Sequence, residues 1–134
     1  MRWSRLIEVV HTSLAPSPVG PYSQAVKAGC FLFVSGQIPI DPLTGELIKD
    51  DFSEEVRRVL LNLKAVVEAA GAGLDRIVKV TVYLTDLRLA QEFNRIYAEF
   101  FGSFRPSRSL VEVSGLPRGA RVEIEAVAYL CGDR

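Results

Sequence analysis

Residues Arg105–Leu130 read RPSRSLVEVSGLPRGARVEIEAVAYL, and they say more about the fold than any other segment of the 134-residue chain. Both ends of this segment are rich in β-branched residues, and the Gly- and Pro-containing stretch Ser114–Gly119 separates them. The pattern predicts two strands joined by a short connection. Side chains alternate between the faces of a strand, so from Val122 onward one face is apolar and the other carries Glu123 and Glu125.

The first strand of this predicted pair carries Arg108, with Leu110 and Glu112 on the same face. We predict that the two strands are neighbours in the sheet. An arginine and a carboxylate such as Glu123 on neighbouring strands can bind a small anion and activate a water molecule beside it. They can equally form a structural ion pair. The residues alone leave both interpretations open.

Length and composition favour a single soluble domain spanning residues 1–134. Apolar residues make up 49% of the chain, which excludes a disordered protein. No apolar run approaches the ~20 residues that span a bilayer, and the N-terminus does not resemble a signal peptide. We therefore expect a cytoplasmic protein without a membrane partner. The 16 basic and 16 acidic residues balance, which argues against nucleic-acid binding.

The cysteines and the histidine further restrict the kinds of site that the chain could form. Cys30 and Cys131 lie far apart in the sequence without a CxxC pattern, and we predict free thiols in a reducing compartment. His11 is the one histidine, and no second ligand lies near it in the sequence. We therefore expect neither a metal site nor a histidine-based triad.

The rest of the chain predicts alternating strands and helices. Apolar residues at helical spacing predict helices over Ser53–Ala70, ended by Gly71, and over about Leu87–Phe101 behind Asp86 as the N-cap. The remaining predicted strands are Arg5–Val10, Ala25–Ala28, Phe31–Gln37 and Ile77–Leu84.

This order of elements predicts an α+β fold: a two-layer sandwich in which two helices cover one face of a mixed sheet of about six strands. The uncovered face then carries Phe31, Phe33, Val127 and Tyr129, or part of that set, beside its charged residues. Aromatic residues on an exposed face are typical of a partner surface. We expect a homo-oligomer whose sheets pack together.

Four segments resemble the RidA/YjgF family of enamine and imine deaminases. They are GPYSQAV (20–26), FVSGQIPIDPLTGE (33–46), VTVYLTDL (80–87) and FRPSRSLVEVSGLPRGARVEIEAVA (104–128). The resemblance implies a chorismate-mutase-like fold, a homotrimer and sites in the clefts between subunits. It also implies hydrolysis of 2-aminoacrylate and 2-aminocrotonate, through their imine tautomers, to 2-keto acids and ammonia. No cofactor or metal is implied.

The resemblance assigns a role to several residues. Arg108 matches the arginine that holds the substrate carboxylate, and Glu123 matches the glutamate that positions the attacking water. Tyr22 matches an aromatic residue that closes the pocket, and Ser35 matches a hydroxyl at the end of its strand. Asn94 matches a polar residue of the second helix that is sometimes placed in the site.

Leu110 departs from the family pattern, because many members carry cysteine at this position. In the family the backbone at this position contributes to the site, and a backbone contact survives the change. A thiol is not needed for attack by water, so the deaminase interpretation stands. Two alternatives remain: a non-catalytic module that binds small carboxylates, and an endoribonuclease or translation inhibitor. The balanced charge argues against the second alternative.

Overall fold

A computed structural model of the chain describes residues 6–132, and within them six strands and two α-helices follow one another. The strands are β1 (Ile7–Val10), β2 (Ala25–Ala28), β3 (Phe31–Gln37), β4 (Ile77–Leu84), β5 (Ser107–Glu112) and β6 (Val122–Tyr129). The helices are α1 (Phe52–Ala69) and α2 (Ala90–Phe101). These bounds agree closely with the predicted ones. Arg5, where the first strand was predicted to begin, lies outside the described residues.

The sheet order is β1-β2-β3-β6-β4-β5, with β4 and β5 parallel and every other pair antiparallel. The predicted α+β fold with a mixed sheet is therefore confirmed. The prediction that the two closing strands are neighbours is wrong, because β4 lies between β5 and β6. The crossover through α2 returns the chain parallel to β4 at the sheet edge, whereas β6, with four buried side chains, takes a central place.

Both helices pack on one face of the sheet. Asp51 begins α1 by accepting a hydrogen bond from the backbone N–H of Ser53 at 3.0 Å. The predicted second helix begins as a 3₁₀ turn at Leu87–Leu89, where the Asp86 side chain accepts from the Arg88 N–H, and continues as α2. The core contains buried side chains from both helices, among them Val59, Leu60, Leu63, Val66, Phe93 and Ile96. Within residues 6–132, no helix is long and apolar enough to cross a membrane.

The other face of the sheet is open and partly aromatic, as predicted. Phe31, Phe33 and Tyr129 are 42%, 50% and 38% exposed. The Phe31 and Tyr129 rings meet edge to face with centroids 5.3 Å apart. Several large apolar side chains are therefore exposed together on this face, as a partner surface would require.

Cys30 and Cys131 form a disulfide with their Cα atoms 5.1 Å apart, so the prediction of free thiols is wrong. The pairing of β3 with β6 sets Phe31 opposite Tyr129, which brings the two cysteines together although 101 residues separate them. The disulfide therefore fastens one end of the β3–β6 pair.

Candidate functional site

A cavity of about 280 Å³ opens at the other end of the β3–β6 pair. Its walls come from the loop before β2, from the end of β3 and from the beginning of β6. The lining residues are Val19, Tyr22, Ser35, Gly36, Ile38, Pro117 and Glu123. The sequence-predicted residues Tyr22, Ser35 and Glu123 thus lie together, and most of their neighbours in the wall are apolar.

Glu123 lies on the open face of β6, opposite Tyr83 of β4. Its carboxylate lies directly over Gly36, where a Cβ atom would overlap the carboxylate oxygen. The register between β3 and β6 shifts between Val34 and Gln37, so Gly36 belongs to a bulge of the kind that often re-aims side chains beside functional sites. Sequence reasoning did not single out Gly36. The missing side chain leaves room for the carboxylate.

The surroundings of Glu123 favour its protonated form. Burial raises the pKa of the Glu123 carboxyl, and the negative charge of Glu125 raises it further. Glu125 accepts a hydrogen bond from the Tyr83 hydroxyl at 2.9 Å, and this bond is the main reason that the pKa of Tyr83 is also raised. A carboxyl whose pKa lies above its ordinary value is better matched to proton exchange near neutral pH.

Local hydrogen bonds fix the cavity wall. The Ser35 hydroxyl donates to the carbonyl of Ser23 at 2.6 Å, and the Ser35 N–H donates to the carbonyl of Gln24 at 2.9 Å. The Tyr22 hydroxyl accepts from the N–H of Val19 at 3.2 Å, and the Tyr22 ring is 45% exposed. Ser35 therefore fixes the chain at Ser23 and Gln24, directly after Tyr22, while the Tyr22 ring remains available to a ligand.

Gln24 holds the loop that carries the cavity wall. Its side chain is buried, accepts from the N–H of Thr12 at 2.7 Å and donates to the carbonyls of Thr12, Ala15 and Pro16 at 3.0, 3.3 and 2.9 Å. Sequence reasoning missed this role, although a glutamine at the start of a strand that follows a proline-rich loop is a suitable anchor. The loop leading to Tyr22 is thus fixed by a single amide.

Arg108 lies on the opposite side of the sheet from Glu123. It pairs with Val80, a buried residue of the helix-covered face, and its guanidinium carbon stands 5.7 Å and 4.8 Å from the ring centroids of Phe93 and Tyr97 of α2. Within residues 6–132, Arg108 has neither an ion pair nor a hydrogen bond. The alternative of a structural ion pair with Glu123 is therefore excluded within one chain.

The remaining sequence-predicted residues also lie away from the cavity. Leu110 is partly buried and packs against the main core. Asn94 is exposed on α2, next to Phe93. A single chain therefore brings Tyr22, Ser35 and Glu123 together and leaves Arg108, Leu110 and Asn94 on another surface.

The cavity as one chain forms it offers a carboxyl, a hydroxyl and apolar walls, and no positively charged side chain is among its lining residues. The cavity can hold a water molecule beside Glu123, and the deprotonated Glu123 carboxylate can accept a proton from that water. Across residues 6–132, no group of three His, Cys, Asp or Glu side chains is arranged to hold a metal ion. An anionic ligand in the cavity needs its counter-charge from elsewhere.

Comparison with known proteins agrees with the sequence resemblance. The model of the family described as Endoribonuclease L-PSP matches residues 12–130. A RutC family protein of Pyrococcus horikoshii is 56% identical over 122 residues, which cover 91% of this chain and 97% of that protein. A mouse protein named 2-iminobutanoate/2-iminopropanoate deaminase is 41% identical over 121 residues, which cover 90% of each.

Solved structures share the fold. The crystal structure of E. coli TdcF with bound serine superposes with a TM-score of 0.89 at 41% identity, and the match covers 92% of this chain and 99% of TdcF. The serine in that crystal is a small molecule with a carboxylate. The family model covers the residues that line the cavity and the strand that carries Arg108.

Proposed function

Because the chain belongs to the RidA/YjgF family, whose family model is described as Endoribonuclease L-PSP, we propose that it hydrolyses reactive enamine and imine carboxylates to 2-keto acids and ammonia. The observation that carries this proposal is Glu123, a half-buried carboxyl with a raised pKa in a small, mostly apolar cavity. The name of the mouse relative supports the same chemistry. The substrates are small 2-imino acids such as 2-iminopropanoate and 2-iminobutanoate, with their enamine tautomers 2-aminoacrylate and 2-aminocrotonate.

In the proposed reaction, Glu123 accepts a proton from a water molecule while the water oxygen bonds to C2 of the imine. The C=N bond becomes a single bond, and a tetrahedral carbinolamine forms. Protonated Glu123 returns this proton to the nitrogen, which completes the neutral carbinolamine. The proton of the new C2 hydroxyl then passes through Glu123 to the same nitrogen, the C2–N bond breaks, ammonia leaves, and the C2–O bond becomes the carbonyl of the keto acid. Holding water and imine together in the cavity removes much of the entropic barrier. The overall reaction consumes only the imine and one water molecule.

We assign the substrate carboxylate to Arg108 of a neighbouring subunit. Arg108 faces away from Glu123 within its own chain, and within residues 6–132 its guanidinium has no polar partner. A planar guanidinium binds a carboxylate through two parallel hydrogen bonds. The open aromatic face gives a surface on which subunits can pack, and we propose a homotrimer with its sites in the clefts between subunits. Leu110, two residues from Arg108, then contributes apolar surface to the same cleft, and Asn94 lies near its mouth.

The test is a coupled assay in which a threonine or serine dehydratase generates the imine and formation of the keto acid is followed. We expect the wild-type protein to accelerate the step and folded Arg108→Ala to lose at least roughly 100-fold in kcat/KM, because an anchor for a charged group is removed. Wild-type turnover by folded Arg108→Ala would refute the carboxylate role.

A folded wild-type oligomer that binds 2-keto acids without accelerating hydrolysis would instead indicate the non-catalytic module that binds small carboxylates. The family description also names an endoribonuclease. The 16 basic and 16 acidic residues of the chain do not favour an RNA surface. Cleavage of RNA by highly purified protein that persists in Arg108→Ala and in Glu123→Gln would establish that second activity independently of this site.

A further inference from the structure

We propose that Tyr97 is a positioning residue: with Phe93 it forms an aromatic seat that holds the Arg108 guanidinium by its flat face and leaves the N–H edge free for a carboxylate. This inference rests on the proposed role of Arg108 in substrate binding. In this inference the ring of Tyr97, and not its hydroxyl, holds the guanidinium in place.

The aromatic seat results from the spacing of the aromatic residues along α2. Phe93, Tyr97 and Phe101 follow one another at intervals of four residues, so their rings lie in a row along one side of the helix. The ring centroids of Phe93 and Tyr97 are 5.5 Å apart, and those of Tyr97 and Phe101 are 4.6 Å apart. All three side chains are buried. The row is therefore a rigid surface rather than a set of mobile rings.

The Arg108 guanidinium lies against the first two rings and closest to Tyr97, at 4.8 Å from the ring centroid. An arginine that lies over an aromatic face can keep its N–H groups unoccupied, because the contact with the ring does not require a hydrogen-bond acceptor. A guanidinium that is already oriented loses less conformational freedom when a carboxylate binds.

Arg108 differs in this respect from the other arginines within residues 6–132. Each of the others donates at least one hydrogen bond to a carboxylate, an amide, a hydroxyl or a backbone carbonyl: Arg57, Arg58, Arg76, Arg88, Arg95, Arg105, Arg118 and Arg121. An arginine that is held only by aromatic rings is available to an external anion.

The Tyr97 hydroxyl does not explain the seat. It is buried, and within the described chain it has no hydrogen-bond partner. Burial raises the pKa of Tyr97, while the positive charges of Arg108 and Arg105 act in the opposite direction, so the hydroxyl stays neutral near pH 7. A phenylalanine ring at this position would present the same face to Arg108.

The experiment compares three variants with the wild type by calorimetric titration with 2-oxobutanoate, a stable product-like carboxylate. Tyr97→Leu removes the ring and should weaken binding about tenfold, because a partly buried cation–π contact has about that magnitude. Tyr97→Phe keeps the ring and should bind within about twofold of the wild type. Phe101→Leu removes a buried ring of the same row that does not contact Arg108, and it should bind like the wild type even if its thermal stability falls as far as that of Tyr97→Leu.

Turnover adds a readout that general loosening of the fold would not give. Tyr97→Leu should raise KM for the imino acid and leave kcat near the wild-type value, because the ring holds the carboxylate anchor and not the water. If Tyr97→Leu does not fold, Tyr97→Met fills the space with an apolar chain that has no π face and takes its place.

Unchanged binding by Tyr97→Leu, or equal losses in Tyr97→Leu and Phe101→Leu, would overturn the aromatic seat. Equal losses in Tyr97→Leu and Tyr97→Phe would assign the effect to the hydroxyl and would also contradict the proposal. A wild-type protein that binds 2-oxobutanoate but hydrolyses no imine would contradict the proposed reaction and would still agree with the aromatic seat. A wild-type protein that does neither would overturn both.

Discussion

The cavity wall around Glu123 and the aromatic seat of Arg108 are fixed in opposite ways. The wall is held by hydrogen bonds, with the Gln24 amide fastening the loop and the Ser35 hydroxyl donating to the carbonyl of Ser23. Arg108 rests on aromatic rings and, within residues 6–132, has no polar partner. The difference suits the two roles in the proposed reaction, where the general base needs a defined direction towards its water and the carboxylate anchor needs an unoccupied hydrogen-bonding edge.

The two regions also lie on opposite faces of one sheet. Val80, opposite Arg108, is buried under the helices, while Tyr83, opposite Glu123, lies on the open face. A rigid sheet cannot bring the two faces together, so Arg108 and Glu123 stay apart within one chain. In the proposed reaction each chain then carries two separate half-sites, the Glu123 cavity and the aromatic seat of Arg108. If the proposed reaction is right, a complete site requires two chains.

The largest expected effect tests this separation directly. Arg108→Ala and Glu123→Gln should each be inactive when assembled alone. If the two chains are unfolded together, refolded and allowed to assemble at random, about a quarter of the sites receive an intact Arg108 from one chain and an intact Glu123 from its neighbour. We therefore expect about a quarter of the wild-type activity per chain, measured in the dehydratase-coupled assay.

The control for this experiment is a mixture of the two variants after each has been folded and assembled separately. Its activity is measured before the subunits have time to exchange. That mixture should stay inactive. No recovery in the co-refolded sample, despite mixed oligomers seen by native mass spectrometry, would mean that both residues of a site come from one chain. Activity in either variant assembled alone would mean that the substituted residue has no role.

A second test compares how the two half-sites are held. Gln24→Leu leaves several buried backbone groups of the loop unpaired and should lower the free energy of unfolding by about 2–4 kcal/mol, measured by denaturant titration. The matched control is Gln37→Leu, because the buried Gln37 side chain makes one hydrogen bond, to the carbonyl of Ser35, and should cost about 1 kcal/mol.

The corresponding change at the aromatic seat is Tyr97→Phe. It removes a buried hydroxyl that has no partner in the described chain, and it should leave the stability unchanged or raise it by up to about 1 kcal/mol. Comparable losses in Gln24→Leu and Tyr97→Phe would erase the distinction between a hydrogen-bonded and a stacked half-site.

The elements of the fold could be predicted because their signals are local. The apolar stripe of α1 and the alternation along β6 follow from the periods of helix and strand, and both are present in the sequence itself. The aromatic open face followed in the same way, since the residues that alternate with the buried ones had to lie on the other side.

The features that were mispredicted or missed depend on contacts between distant segments. The Cys30–Cys131 disulfide and the place of β5 beside β4 follow from the order of the strands, which no single segment encodes. The Gly36 bulge depends on register, and the anchoring by Gln24 depends on a loop that folds back over it. Sequence patterns therefore identified Arg108 and Glu123 as candidates but could not say that they lie on opposite faces.

An effect smaller than that of Arg108→Ala or Glu123→Gln is expected at Gly36, where a methyl group would overlap the Glu123 carboxylate. Gly36→Ala should rotate this carboxylate away from the water and lower kcat roughly 10- to 100-fold, while KM for the imino acid stays near the wild-type value. The control is Gly115→Ala, because a Cβ atom at Gly115 would meet no neighbouring atom. A rise in KM without a fall in kcat would show that Gly36 serves the anchor half-site instead.

The smallest expected effect concerns pH. In the proposed reaction Glu123 acts as a base only when it is deprotonated, so activity should fall as the pH drops through its pKa, and the raised pKa places this fall at a higher pH than for an ordinary glutamate. Burial is the main cause, and the charge of Glu125 is the second. Glu125→Gln removes that charge but keeps an oxygen that can accept from the Tyr83 hydroxyl. The acid limb of kcat/KM should therefore move to lower pH, by less than about one unit because the larger cause remains.

The control is Glu8→Gln, which neutralises an exposed carboxylate on β1 and should leave the acid limb where it is. An acid limb that moves upward in Glu125→Gln, or does not move at all, would mean that the titrating group is not Glu123.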